Sequence, residues 1–486
     1  MKNIVSVILI TIGLYGCMNG DGPNNIDDSE INSTKNSGEL TIPNVVNGNF
    51  TLVAQNTKHE IIQGKSSSVL GYQIGSILGP TIEVESGETL NVNLKNELGE
   101  PSNVHWHGLI TPADMDGHPE DVVQPGDSKK YTFPVIQRAG LYWYHPHPDG
   151  FTAKQAYLGL AGAIIVRDNQ EKSIGLPSGE YEMPLIIQDK RMDNKNGLSY
   201  LPGMSDIMAG LLGNTIIVNG KASPYINVKT STYRFRVLNG SNARIYNLAL
   251  SNGAPFKVIG SDGGLIEKPV TVNALLLSPG ERADLLVDFS SAPLGSEIIL
   301  LSKQFQGGGS QGKQQFNILS VKVNQSDVNR FSFPETLSVI EKTDENTSTI
   351  TRIFTVSDMG MGGMGSMGGG MTMNGIHRIN GKLYDKNRID ETVTFGKTEI
   401  WIFDNSKGNE PHPFHVHGVM FQILDRIGGR NIVTEVEKGW KDTVLVLPGE
   451  KVRVIMTFSG YKGKFVMHCH NLEHEDDGMM LQFEVI

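Results

Sequence analysis

Apolar and polar positions alternate along this chain in short runs, as in Lys130-Tyr131-Thr132-Phe133, Ala283-Asp284-Leu285-Leu286-Val287 and Val452-Arg453-Val454-Ile455-Met456. A period of two predicts strands with one face buried. No helical period of any length stands out. Each run follows a turn of one type: Gln124-Pro125-Gly126-Asp127, Ser278-Pro279-Gly280-Glu281 and Leu447-Pro448-Gly449-Glu450. The turns recur at intervals of about 155 to 170 residues, the scale of a β-sandwich domain. A chain of 486 residues is too long for one core. The pattern therefore predicts an all-β protein of three β-sandwich domains, over residues 38–172, 180–325 and 350–486.

The N-terminus departs from this pattern. Lys2 precedes an apolar run from Ile4 to Leu14, too short to span a bilayer but suited to the core of a signal peptide. The run ends in Leu14-Tyr15-Gly16-Cys17, which resembles a bacterial lipoprotein processing site. Residues 1–17 are thus expected to be a signal peptide, and acylated Cys17 would hold the protein on a membrane surface. Tyr15 is an unusual occupant of that motif, and simple secretion is the alternative. Residues 18–37, rich in Asn, Asp, Ser and Gly, read as a tether. The motif places the mature protein in the cell envelope, and without a twin-arginine motif export is expected in the unfolded state. A net charge of −10 with no basic stripe excludes nucleic acid as a partner.

The chemistry lies in four His-x-His units. His105-Trp106-His107-Gly108 precedes the first Pro-Gly turn and His145-Pro146-His147 follows it. His415-Val416-His417-Gly418 precedes the third turn and His468-Cys469-His470 follows it. The middle segment has no histidine. Residues i and i+2 of a strand share a face and lie about 7 Å apart, which suits two neighbouring metal ions better than one. Imidazole accommodates copper, zinc, iron or nickel. Eight imidazoles without a carboxylate do not resemble a hydrolytic zinc centre, which keeps three protein ligands and an open position.

Cys469 narrows the choice. On an extended strand it faces away from His468 and His470, and His412 likewise faces away from His415 and His417. His474 and Met479 follow Cys469 closely. Two histidines, a thiolate and a weak axial methionine are the ligands of a blue-copper electron-transfer site. That site and the histidine cluster would then lie on opposite sides of one strand, joined through Cys469 and its covalent neighbours.

With these motifs the sequence resembles the multicopper oxidase family. The likeness extends to Tyr144, to His412-Pro413-Phe414, to Gly79-Pro80-Thr81-Ile82 and to Val218-Asn219-Gly220-Lys221, so it covers nearly the whole mature chain. It implies three cupredoxin-like Greek-key sandwiches and four copper ions, which export in the unfolded state would leave to be loaded after translocation. Type 1 copper would take His412, Cys469, His474 and Met479, and type 2 copper His105 and His415. One type 3 copper would take His107, His145 and His470, the other His147, His417 and His468. The resemblance further implies one-electron oxidation of a donor at type 1 copper, reduction of dioxygen to water at the other three, and Asp116 and Glu475 as proton-delivering acids.

The donor is the open question. An axial methionine tends to lower the potential, which fits easily oxidised donors. Met359, Met361, Met364, Met367, Met371 and Met373 are separated mostly by glycine, which forbids a stable helix. Thioethers prefer Cu(I), and the segment resembles the methionine-rich insert of copper-efflux cuprous oxidases; the alternative is a passive linker. Those enzymes carry an acid and a methionine just before the first type 1 histidine, whereas Ser406 to Pro411 supplies only Glu410. His377 reads as a surface histidine or a soft-metal contact. A cuprous oxidase serving copper tolerance is expected, with a laccase-like oxidase of phenols, diamines, Fe(II) or Mn(II) as the alternative. Copper-free structural or division-associated proteins of this fold, and a copper store, are non-enzymatic alternatives that intact ligands argue against.

Overall fold

A computed structural model describes residues 38–358 and 375–486. Its strands form six sheets, two in each third of the chain. The first third pairs two four-stranded sheets, the middle a seven- and a five-stranded sheet, and the last two five-stranded sheets. Each pair closes over its own apolar core. The three recurrent turns feed the strands Ser128–Pro134, Arg282–Asp288 and Lys451–Thr457. Their glycines, Gly126, Gly280 and Gly449, have φ of +88°, +82° and +81°, the left-handed region that a side chain rarely adopts.

Two of the strands buried on both faces are central to the site. In Gly140–Tyr144 the residues Tyr142 and Tyr144 enter the core of the first sandwich. Leu141 and Trp143 instead join a cluster with Ile186, Ile217 and Leu238 of the middle sandwich. In Gly463–Cys469 the residues Phe465, Met467 and Cys469 enter the core of the third sandwich, and Val466 and His468 take the opposite face. The partner strand His412–Val416 is paired so that His415 lies opposite His468 and Phe414 opposite Cys469. Histidines on that outer face therefore look toward the first sandwich, where His105 and His145 form an equivalent antiparallel bridge. Among the described residues no helix is long and apolar enough to cross a membrane.

Candidate metal centre

Eight imidazoles meet between the first and third sandwiches: His105, His107, His145, His147, His415, His417, His468 and His470, none more than 1% exposed. Hydrogen bonds fix which nitrogen most of them present. Nδ1 of His105 donates to the Asp116 carbonyl at 2.8 Å, and Nδ1 of His415 to the Asp442 carbonyl at 2.9 Å. Their Nε2 atoms are thereby left as lone pairs that face each other at 3.3 Å. Nδ1 of His417 donates to Asp116 Oδ2 at 2.7 Å, and Nδ1 of His468 to the Cys469 carbonyl at 3.0 Å. Their Nε2 atoms are 3.2 Å apart, and His147 Nε2 is also 3.2 Å from that of His468. Converging lone pairs repel unless an electrophile lies among them. Nitrogens bonded to one metal at about 2.0 Å and near-tetrahedral angles sit about 3.3 Å apart, which is the spacing found. The buried atoms His107 Nδ1, His145 Nε2 and both nitrogens of His470 have no hydrogen-bond partner, and ligation of a metal would satisfy buried nitrogens of this kind.

Burial pushes most of these rings toward the neutral form that binds metals. Desolvation, reinforced by neighbouring imidazoles, holds His105, His107, His147, His417 and His470 well below the ordinary histidine range. His145 is pushed down to about 3, chiefly by burial.

A second group lies on the core side of the same strand. Cys469 Sγ is 3.5 Å from His412 Nδ1 and 3.7 Å from His474 Nδ1, and the two nitrogens are 3.2 Å apart. Sulfur and nitrogen sharing a metal at bond lengths of about 2.3 and 2.0 Å would be separated by about 3.5 Å. The Asn471 backbone N–H donates to the sulfur at 3.4 Å. Met479 is fully buried in the same core cluster, and its carbonyl accepts the Cys469 N–H at 3.1 Å.

The helix Leu472–Asp476 and Asp477 after it tie this group to the rest of the molecule. Glu473 accepts from Leu211 N and Asn242 Nδ2 of the middle sandwich, at 2.9 and 2.8 Å. His474 Nε2 donates to the Met208 carbonyl at 3.0 Å. Glu475 lies 3.0 Å from His468 Nδ1 and 3.4 Å from His147 Nδ1, off the hydrogen-bond line to either. Asp476 caps the helix Thr152–Leu158 of the first sandwich, accepting from Thr152 N and Ala153 N at 3.1 and 2.9 Å. Asp477 accepts the N–H groups of Gly375, Ile376 and His377 at 2.7, 2.7 and 3.0 Å.

Asp116 is fully buried and joins the first sandwich to the third: besides holding His417 it accepts from Thr111 Oγ1 at 3.2 Å. Its carboxyl is pushed up to about 7 by burial, with Thr111 opposing. Two residues went unassigned or misread in the sequence. His377 is not on the surface: it is 1% exposed and stacks on His474 with ring centroids 3.7 Å apart, because Asp477 pulls its backbone inward. Asp442, whose Oδ1 is 3.1 Å from His107 Nε2, was not singled out; its position next to a strand of plain apolar residues carries no motif. Glu410 is half-buried on the turn before His412. Cys17 and the methionines from Met359 to Met373 lie outside the described residues.

Comparison with known proteins agrees with this geometry. Three family models, each described as multicopper oxidase, match residues 53–171, 191–319 and 358–486. A multicopper oxidase of Staphylococcus aureus is 35% identical over 468 residues, covering 94% of each chain. A laccase of Bacillus subtilis is 36% identical, covering 85% of this chain and 90% of its own. The solved multicopper oxidase of Campylobacter jejuni, described as a metallo-oxidase, superposes with a TM-score of 0.81 at 30% identity, covering 95% of this chain and 98% of its own. Such coverage by family models and relatives, over a fold whose two outer sandwiches share a buried histidine cluster beside a cysteine–histidine group, shows that the chain belongs to the multicopper oxidase family.

Proposed function

We propose that this enzyme oxidises Cu(I), one electron at a time, and reduces dioxygen to two waters with four electrons and four protons. The observation that carries the oxidase chemistry is the place of Cys469, whose sulfur reaches His412 and His474 while its covalent neighbours His468 and His470 belong to the eight-imidazole cluster. His412, Cys469, His474 and Met479 would hold a type 1 copper. His105 and His415 would hold type 2 copper; His107, His145 and His470 one type 3 copper; and His147, His417 and His468 the other. Copper at these positions supplies the one-electron redox chemistry and the binding of dioxygen.

The protein supplies the rest. Neutral, buried imidazoles keep their lone pairs pointed inward without competing protons. The backbone from His468 to His470 gives a short covalent route between the two groups. Asp116, whose Oδ2 accepts the His417 Nδ1–H, stands at one end of the cluster, and Glu475, next to His468 and His147, at the other; these are the two acids that would relay protons to it. Both are buried, so each proton is handed to product without open access for bulk water.

Cu(I) as donor rests on the methionine-glycine segment from Met359 to Met373, with Glu410, two residues before His412, as a hard contact, and on the relative described as a metallo-oxidase. Phenol oxidation is the second reading, favoured by the relative called a laccase. Lipid on Cys17 would place the activity at the envelope, where Cu(I) oxidation serves copper tolerance. The test is oxygen uptake by copper-loaded enzyme with Cu(I) or a phenol, with and without residues 359–373. Loss of Cu(I) oxidation alone on deletion supports the proposal. Phenol oxidation as fast as Cu(I) oxidation, both indifferent to the deletion, makes the enzyme a laccase.

A further inference from the structure

The middle sandwich has no histidine, yet its Pro-Gly turn lies against the eight-imidazole cluster. We propose that Arg282, at the end of that turn, is a positioning residue for the trinuclear copper site and acts through Asp442 on His107 and His415. The proposal rests on the assignment of that site above.

Arg282 is fully buried and all its donors are used. Nη1 and Nη2 donate to Oδ1 and Oδ2 of Asp442 at 2.7 and 2.6 Å, a two-point fork that fixes the carboxylate plane. Nε donates to the Leu141 carbonyl at 3.0 Å, Nη1 to that of Gly280 at 3.0 Å, and Nη2 to that of Asp262 at 2.9 Å. One guanidinium thus links strand Gly140–Tyr144 of the first sandwich, the turn of the middle one and Asp442 of the third. Asp442 carries the constraint to the imidazoles. Its Oδ1 accepts from His107 Nε2 at 3.1 Å, which leaves His107 Nδ1 to face the cluster, and its carbonyl accepts from His415 Nδ1 at 2.9 Å.

Two glycines make room for this arrangement. A Cβ on Gly108, in the His105-Trp106-His107-Gly108 motif, would lie 2.6 Å from Asp442 Oδ2 and 2.7 Å from Arg282 Nη2. A Cβ on Gly280 would lie 2.9 Å from His470 Cδ2 and 3.1 Å from His107 Cε1. The motif glycine admits the ion pair, and the turn glycine brings the middle sandwich into contact with two of the rings. A role confined to cementing sandwiches would require neither the bond to His107 nor the contact with His470.

The test uses copper-reconstituted full-length enzyme with Arg282→Lys, which keeps the charge but loses the fork, and Asp442→Asn, which keeps the shape but turns a donor toward Arg282 or His107. Three readouts separate the sites: copper retained after dialysis against a chelator, anaerobic bleaching of the blue absorption by a one-electron donor, and oxygen uptake. The expected result is bleaching within about twofold of wild type, with copper retention at the cluster and oxygen uptake each reduced about 10- to 100-fold. Blue absorption and oxygen uptake falling together would show a general structural role and overturn the proposal. So would either variant retaining all its copper and full uptake. A wild-type enzyme that binds copper only at Cys469 would overturn the trinuclear assignment itself, a failure visible before any variant is made.

Discussion

Replacing Asp477 with alanine should release the chain segment that buries His377 against His474. The carboxylate of Asp477 accepts three backbone N–H groups, from Gly375, Ile376 and His377. Its residue is 8% exposed, so water can only partly take its place. At about 1 kcal/mol net per bond, three bonds give about 3 kcal/mol of local stability. With tenfold per 1.4 kcal/mol, the local opening constant should rise roughly a hundredfold. Hydrogen exchange followed by mass spectrometry, on peptides spanning residues 375–380 of the copper-loaded enzyme, reads this directly. The Asn variant should fall between the two, because one neutral carbonyl accepts fewer N–H bonds and its amide repels the third. Unchanged exchange in 375–380 would refute the reasoning. So would an equal rise in strand Gly463–Cys469, since that would mean global loosening.

Asp116→Asn can keep its bond to His417 and turn its amide toward Thr111, so copper content should hold while oxygen uptake falls about 10²- to 10⁴-fold; uptake within twofold of wild type would remove Asp116 from proton delivery. His377→Phe preserves a stacked ring against His474 and should leave the blue absorption unchanged, whereas His377→Ala should shift its maximum; a visible spectrum equal in all three proteins would show that the stack does not shape the group. Lys190, fully buried and bonded to the Tyr157 carbonyl, is pushed down to about 7 by burial. Between that value and the ordinary lysine range the unfolded chain binds more protons, so wild-type stability should gain from rising pH relative to Lys190→Met. Urea midpoints of both proteins at pH 6 and pH 9 that keep a constant difference would contradict this.

The strands and the histidine pairs were legible because both follow a period of two. Runs of alternating residues gave the strands, and His415, His417 and His468 fall on one face with His412 and Cys469 on the other for the same reason. What bears on the site from a distance was not legible. Arg282 and Asp442 lie 160 residues apart and meet only because the middle sandwich packs on the third. His377 looked like a surface residue because its burial depends on Asp477, 100 residues further on. Within the run Glu473 to Asp477 only His474 and Glu475 carried a sequence signal, yet Glu473, Glu475, Asp476 and Asp477 each approach a different part of the molecule. Local pattern reports the face a side chain takes, while the partner across a domain interface is set by packing.

The most direct test is the electron balance of turnover: the amount of donor oxidised for each dioxygen consumed, measured for wild type and for Cys469→Ser with equal copper loaded at the histidine cluster. Four one-electron donors per dioxygen in wild type, no hydrogen peroxide, and no turnover by Cys469→Ser are the expected results. Two donors per dioxygen with peroxide released, or full turnover without the thiolate, would contradict a cysteine-linked pair of copper sites.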